Sequence, residues 1–258
     1  LFRMNLDGTG YSVLFRFGMT NGQSPTIALI EASDGRLYGT TSRGGKSDVG
    51  TVFCFNRTNS THTVLHHFNP SGGDPGELDT PLIEGSDGWL YGVSRKGGDD
   101  NAGTVFKVSQ SGTGFAILHS FLADGFDGSD PVGPLAEGSD QVLYGVTTYG
   151  GTNSTGTIFK LNKDGTGYAI LLHFVLQGGQ SRSPAAGLIE GSDGLLYGAT
   201  SLGGASGRGS VFRVNKDGTG LTLLLSFSGS GINGRNPRVP LLEASDGYLY
   251  GTTPAPSY

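Results

Sequence analysis

Short apolar runs alternate with polar, glycine-rich turns along the whole sequence, and the alternation itself recurs. Leu-Tyr-Gly stands at 37–39, 90–92, 143–145, 196–198 and 249–251, each 53 residues after the last. A glutamate lies seven residues before each tyrosine (Glu31, Glu84, Glu137, Glu190 and Glu243), followed after one small residue by Ser-Asp. A fixed period of this order marks solenoids and propellers. Residues 131–174 show one repeat in full. Pro131 to Glu137 reads as strand A, Val142 to Thr147 as strand B, Gly156 to Leu161 as strand C and Tyr168 to Phe174 as strand D. Such runs, bounded by Gly, Asn, Asp and Ser, are strand signals, and no stretch carries a helical period.

The A–B turn holds Ser-Asp-Gly in four repeats (Gly35, Gly88, Gly194 and Gly247) and Gln141 in the remaining one. Asp-Gly between apolar runs predicts type I′ hairpins, which need positive φ at both central residues. The Gln141 turn is then expected to be strained or of another type. Four antiparallel strands in meander order predict a propeller blade. Residues 1–17 match strands C and D only, and residues 237–253 match A and B only. The predicted fold is therefore an all-β, five-bladed β-propeller occupying 1–258 as a single domain. Its blades fall at about 18–68, 69–121, 122–174 and 175–227. The fifth combines 237–258 with 1–17, so that N-terminal strands C and D pair with C-terminal strands A and B. Closure of this kind leaves only short, protected sheet edges.

Composition narrows the function. Glycine supplies 47 of 258 residues, at recurrent turn positions rather than in a Gly-X-Y period. Net charge is −5 with no Lys/Arg block, so the positive footprint of a nucleic-acid partner is absent. No apolar run reaches the ~18 residues of a membrane span. Cys54 is the lone cysteine and cannot form an intrachain disulfide. It takes the place of Arg3, Lys107, Lys160 and Arg213 in the other repeats.

The ordered blocks Gly/Ala-Ser-Asp-Gly-x-Leu-Tyr-Gly-x-Thr, Gly-Gly, Gly-Thr-Val-Phe-Lys, Asp-Gly-Thr and Leu-His-x-Phe resemble the GloVer tandem repeat of Gloeobacter and Verrucomicrobia. The resemblance spans essentially the whole chain. It implies a secreted or surface-anchored protein, extracellular or at the cell surface, and offers no catalytic residues to carry over.

The five strand-A glutamates are the first chemical candidates. Glycoside hydrolysis needs two carboxylates in different environments, whereas a glutamate repeated in every blade is a feature of the symmetry. These glutamates are expected to accept backbone N–H or hydroxyl hydrogen bonds, and the Ser-Asp pairs to brace turns. His66, His67, His119 and His173 fall at the outer rim and do not converge, and zinc spacings and a Gly-x-Ser-x-Gly motif are absent. Trp89 and Tyr248, first in strand B, are expected to pack between blades.

Asp124, Asp127 and Asp130 form the most acidic loop, a candidate for a metal; calcium is the one cofactor it suggests. The loops that differ between blades, D–A and B–C, share one face of a propeller and suit binding. They are Gly18–Ser24, Asn69–Thr80, Leu122–Asp130, Val175–Ser183 and Ser228–Asn236 for D–A. The candidate binding residues are Arg43, Arg95, Asp99, Tyr149, Asn153 and Arg208. The function expected is a non-catalytic extracellular module that recognises carbohydrate or a surface protein, with no nucleic-acid partner. Two alternatives stand beside it. One is a glycoside hydrolase-like enzyme using loop carboxylates such as Asp99, Asp127 and Glu77, and the other is a subunit of a surface layer or filament.

Overall fold

The computed structural model describes residues 1–25, 27–69, 73–175, 181–229 and 234–254, and these contain strands and no helix. Strands β1 (Phe2–Arg3) and β2 (Ser12–Val13) form a two-stranded sheet. Strands β3 (Ile30–Glu31), β4 (Leu37–Thr41), β5 (Thr51–Asn56) and β6 (Thr61–His67) form the first four-stranded sheet, in chain order. Strands β7 (Ile83–Glu84), β8 (Trp89–Ser94), β9 (Thr104–Ser109) and β10 (Phe115–Ser120) repeat it. So do β11 (Gly128–Glu137), β12 (Leu143–Gly150), β13 (Thr157–Leu161) and β14 (Ala169–His173). In the next sheet strand A is broken into β15 (Ser181–Pro184) and β16 (Ile189–Glu190), both paired with β17 (Leu196–Gly203). Then come β18 (Ser210–Val214) and β19 (Thr222–Ser226), and a last two-stranded sheet of β20 (Leu242–Glu243) and β21 (Leu249–Tyr250). Every pairing is the antiparallel meander expected, and the architecture is all-β and propeller-like.

The Leu-Tyr-Gly triplet explains why strands B and C fit. In antiparallel register Gly39 faces Phe53, Gly92 faces Phe106, Gly145 faces Phe159 and Gly198 faces Phe212. A Cβ added at these glycines would lie 2.8, 2.6, 2.3 and 2.6 Å from the phenyl Cζ. The tip of the ring occupies the space above the glycine, and all four phenylalanines are buried. Leu29, Leu82, Leu135 and Leu188 of strand A close the same contact from the other side.

The A–B turns differ from the type I′ expectation. Gly35 N–H donates to Ala32 O (2.8 Å) and Ala32 N–H to Arg36 O (3.0 Å), with Gly35 alone left-handed at φ 76°. This is a type I turn followed by one left-handed residue. Gln141 takes the same place with φ 65° and the same bond, to Gly138 O (2.7 Å), so its turn is of the common type. Aspartate selects this geometry. Asp34 accepts Arg36 N–H through Oδ1 (2.9 Å) and the Tyr38 hydroxyl through Oδ2 (2.7 Å), and the pattern recurs at all five repeats.

The glutamates join neighbouring sheets. Glu84 accepts the backbone N–H and hydroxyl of Ser33 (2.7 and 2.5 Å), and Glu137, Glu190 and Glu243 do the same for Ser86, Ser139 and Ser192. Each serine lies 51 residues before its glutamate, in the preceding blade. The C–D turn adds a further donor: Lys163 to Glu137, Lys216 to Glu190 (2.7 Å) and Gln110 to Glu84 (2.6 Å). Burial alone would raise the carboxyl pKa of Glu137 and Glu190. The lysine and serine donors outweigh it and hold both below the usual glutamate value.

The two end sheets are docked but not joined to each other. Phe15 stacks on His62 at 3.9 Å and Phe17 meets Phe53 edge-on, which seats β1–β2 against the first sheet. Burial in this aromatic box pushes the His62 pKa down to about 4. No ladder runs from β1 or β2 to β20 or β21, and Phe2 and Tyr250 are 60% and 52% exposed.

Glu137→Gln is expected to cost about 1–3 kcal/mol in urea unfolding at pH 7, because it exchanges a charge-assisted clasp for mismatched donors. Because the folded pKa is lowered, that contribution is whole above the unfolded glutamate value. It disappears as the pH falls through the folded one. The stability gap between wild type and Glu137→Gln should therefore shrink from pH 6 to pH 3. A gap independent of pH would show that the carboxylate charge is not what closes the clasp.

Candidate functional site

The residue that opens each A segment has a conformation that side chains rarely adopt. Ser24, Glu77, Asp130, Ser183 and Asn236 have φ of 55°, 50°, 58°, 52° and 48°. Asparagine and aspartate tolerate this region because their short side chains bond locally, whereas serine and glutamate are held there by their surroundings. The strain is held by the preceding blade. Asp130 N–H donates to Ala102 O (2.9 Å), Ser183 N–H to Thr155 O (2.8 Å) and Asn236 N–H to Arg208 O (2.7 Å).

Two residues further on, these segments reach a shared cavity. Asp79, Val132, Ala185 and Arg238 occupy equivalent places and line one cavity of about 600 Å³; the fifth equivalent, Thr26, is outside the described residues. Ile27, Pro81, Gly133, Pro134, Ala186 and Pro240 supply apolar wall, and the ends of strand B supply Arg95, Thr148, Tyr149 and Ser201. Residues from five repeats thus line one cavity. Its volume falls within the ~300–1,000 Å³ of small-molecule sites.

Its electrostatics are lopsided. Arg95 forks onto Asp130, Nε to Oδ1 at 2.5 Å and Nη2 to Oδ2 at 2.7 Å, and Nη1 reaches Asp79 Oδ2 at 3.3 Å. Asp130 is buried, whereas the Asp79 side chain is about half exposed. Burial raises the Asp79 carboxyl pKa against the pull of Arg95, and the nearby Asp130 charge adds to the rise. The fork holds the Arg95 guanidinium more firmly protonated than usual. Arg238 is exposed and makes no hydrogen bond or ion pair with the described residues.

Of the sequence-predicted binding residues, the structure brings Arg95 and Tyr149 to this cavity, Tyr149 being 53% exposed. Arg43, Asp99, Asn153 and Arg208 are exposed on surrounding loops and do not line it. The acidic loop is spent on structure. Asp124 braces its own turn through Phe126 N–H and Asp127 N–H. Asp127 accepts His119 Nε2 (3.1 Å), the Tyr168 hydroxyl and two backbone N–H groups, and Asp130 is held by Arg95. Among the described residues no three Asp, Glu, His or Cys side chains form a metal-binding group. Parts of three D–A loops, 70–72, 176–180 and 230–233, lie outside the described residues. Trp89 is half-buried against a core cluster drawn from the second and third four-stranded sheets, with Lys107 Nζ of its own sheet 4.9 Å from its ring centre, but Tyr248 is exposed.

Sequence reasoning missed Asp79, Ser201 and Arg238 and read Asp130 only as a metal candidate. The signal was available. Aligning the repeats at 53-residue steps puts Thr26, Asp79, Val132, Ala185 and Arg238 in one column, the varied one beside the repeated leucine and glutamate. A second cavity, of about 620 Å³, is lined by the clasps themselves, including Ser33, Glu84, Ser86, Glu137 and Ser139. Its carboxylates already hold serine donors.

The Gloeobacter/Verrucomicrobia repeat model matches residues 1–189 and 156–256. No curated protein matches the chain. Among solved structures, a chain of the nidogen/laminin complex is similar at 14% identity and TM-score 0.54, over 87% of this chain and 70% of that one. The gluconolactonase XC5397 of Xanthomonas campestris is similar at 14% identity and TM-score 0.53, over 88% and 68%. The extracellular domain of the hybrid two-component system BT3049 of B. thetaiotaomicron is similar at 12% identity and TM-score 0.58, over 87% of this chain but 26% of that one. At such identities the likeness concerns the fold alone.

Asp130→Asn keeps a residue suited to left-handed φ but removes the fork, and should lower stability by about 1–3 kcal/mol. Asp130→Val adds backbone strain and should cost more, as read by urea unfolding. Equal losses would mean that the left-handed conformation is not maintained by the choice of side chain.

Proposed function

This chain belongs to the Gloeobacter/Verrucomicrobia repeat family, and from that premise we propose that it is a non-catalytic extracellular module that binds carbohydrate through the cavity that its five repeats line. One observation carries the reading. The repeats agree at the clasps, turns and core, and they diverge where they face the cavity: Asp79, Val132, Ala185 and Arg238 in one column, Arg95, Thr148 and Ser201 in another. A rigid ring with its variety gathered at one mouth is suited to selecting a ligand. The exposed Tyr149 ring offers a face for sugar C–H groups, and the hydroxyls of Thr148 and Ser201 offer hydrogen bonds. On a broad glycan array, Tyr149→Ala should weaken any bound glycan about tenfold, while Arg43→Ala leaves it unchanged. The reverse pattern would return the site to the outer loops.

The reading requires a closed ring of five blades over 1–258. Two repeated contacts are incomplete at the same seam and complement one another. Glu31 holds Arg57 but no serine, and Ser245 stands where the other clasp serines stand. Gly251 touches Leu241 but no phenyl ring, and Phe2 occupies the missing ring's place in the repeat. The register of the other blades, Tyr38 to Cys54 and Tyr197 to Arg213, pairs Tyr250 with Arg3 and Gly251 with Phe2. Arg3→Cys with Tyr250→Cys, in a Cys54→Ser background, should form a disulfide within one chain under mild oxidation. Disulfide-linked oligomers instead would favour the filament alternative.

A hydrolase reading has one observation in its favour, the unlike carboxylates that Arg95 joins: Asp79, which lines the cavity, and Asp130, which is buried. Against it, both are tied to the same guanidinium, which leaves no free acid facing a free base. Release of reducing sugar by the wild type, abolished by Asp79→Asn, would reverse this judgement.

A further inference from the structure

The cavity contains two guanidinium groups in opposite circumstances. Arg95 has its fork filled by Asp130 and its remaining Nη1 directed at Asp79. Arg238 lies at the same wall position as Asp79, in another repeat, and has no partner among the described residues. A guanidinium presents paired N–H donors in a planar fork that matches the two oxygens of a carboxylate. The cavity supplies no such carboxylate to Arg238, since Asp130 is committed to Arg95 and Asp79 is bonded there as well. Elsewhere on the wall the residues equivalent to Arg238 are Val132 and Ala185, which offer no charge.

We propose that the ligand of this cavity is an acidic saccharide whose uronate carboxylate pairs with Arg238. This deepens the carbohydrate reading above and rests on it. The remaining groups suit the rest of such a ligand. Asp79 accepts sugar hydroxyls, Thr148 and Ser201 can donate or accept, and Tyr149 receives the apolar face of a pyranose. An arginine already saturated, like Arg95, serves to fix the cavity; an unsaturated one serves to recognise.

The test uses fluorescently labelled oligogalacturonate and the same oligosaccharide with its carboxyl groups reduced to alcohols, titrated at about 150 mM salt. The acidic form should bind at least tenfold more tightly than the reduced form. Arg238→Ala and Arg238→Gln should each remove that difference, while leaving the weak binding of the reduced form unchanged. Arg208→Ala, an exposed arginine outside the cavity, should leave both affinities as they are and controls for general loss of charge. Equal binding of the two oligosaccharides by the wild type, or full affinity for the acidic one in Arg238→Ala, overturns the inference. Neutral glycans that bind and are lost in Tyr149→Ala but not in Arg238→Ala would overturn it while preserving the carbohydrate reading. Absence of binding to any glycan on the array would remove both.

Discussion

The space above one glycine in each repeat governs how this chain can fold. Strand C can lie against strand B at its observed register only because no Cβ separates Gly39, Gly92, Gly145 or Gly198 from the phenylalanine opposite. That ring fills the volume a side chain would have taken and meets a leucine of strand A on its far side. Three strands are thereby fixed at one point, and the tyrosine just before the glycine is aimed at the aspartate of the A–B turn. The turn in turn presents its serine to the next blade. Removing the close approach would lose the register first and the inter-blade clasps with it. Interiors packed as densely as crystals transmit such local changes instead of absorbing them.

Most of this was legible because it repeats. The meander of four strands, the turn positions and the structural role of the glutamates follow from periodicity and residue chemistry, and the strand limits agree to within a few residues. The turn type was misread because Asp-Gly is shared by two hairpin geometries. What separates them here is the Tyr38 hydroxyl four residues after Asp34, a contact that a dipeptide rule does not include. Gln141 shows the same limit from the other side. Its left-handed φ is imposed by the surrounding bonds, although its side chain gives no hint of it.

The site was less legible for the opposite reason. A search for shared motifs finds what blades have in common, which is scaffold, and passes over columns that vary. Arg95 and Tyr149 were found because they stand where the blades visibly differ, whereas Asp79 and Arg238 lie in the segments leading into strand A, two residues before Pro81 and Pro240. Asp130 looked like a cation ligand by its spacing from Asp124 and Asp127. Its carboxylate is instead turned toward the preceding blade, since its backbone is left-handed and stapled to Ala102. Spacing along a chain predicts convergence only when the backbone between the residues is regular.

The serine–glutamate clasp has a sense of direction. In each of the four clasps one blade gives a serine forward to the glutamate of the next, so the contact is head-to-tail and the two sides are never the same surface. Heterologous contacts of this kind contain no instruction to stop: they end in a ring when the rotation per step divides a full turn, and in an open helix when it does not. The number of repeats that would close a ring is therefore set by the wedge angle between sheets, which belongs to the aromatic and aliphatic side chains between them. A change of bulk at that packing could alter how many copies complete a circle without touching a single polar contact.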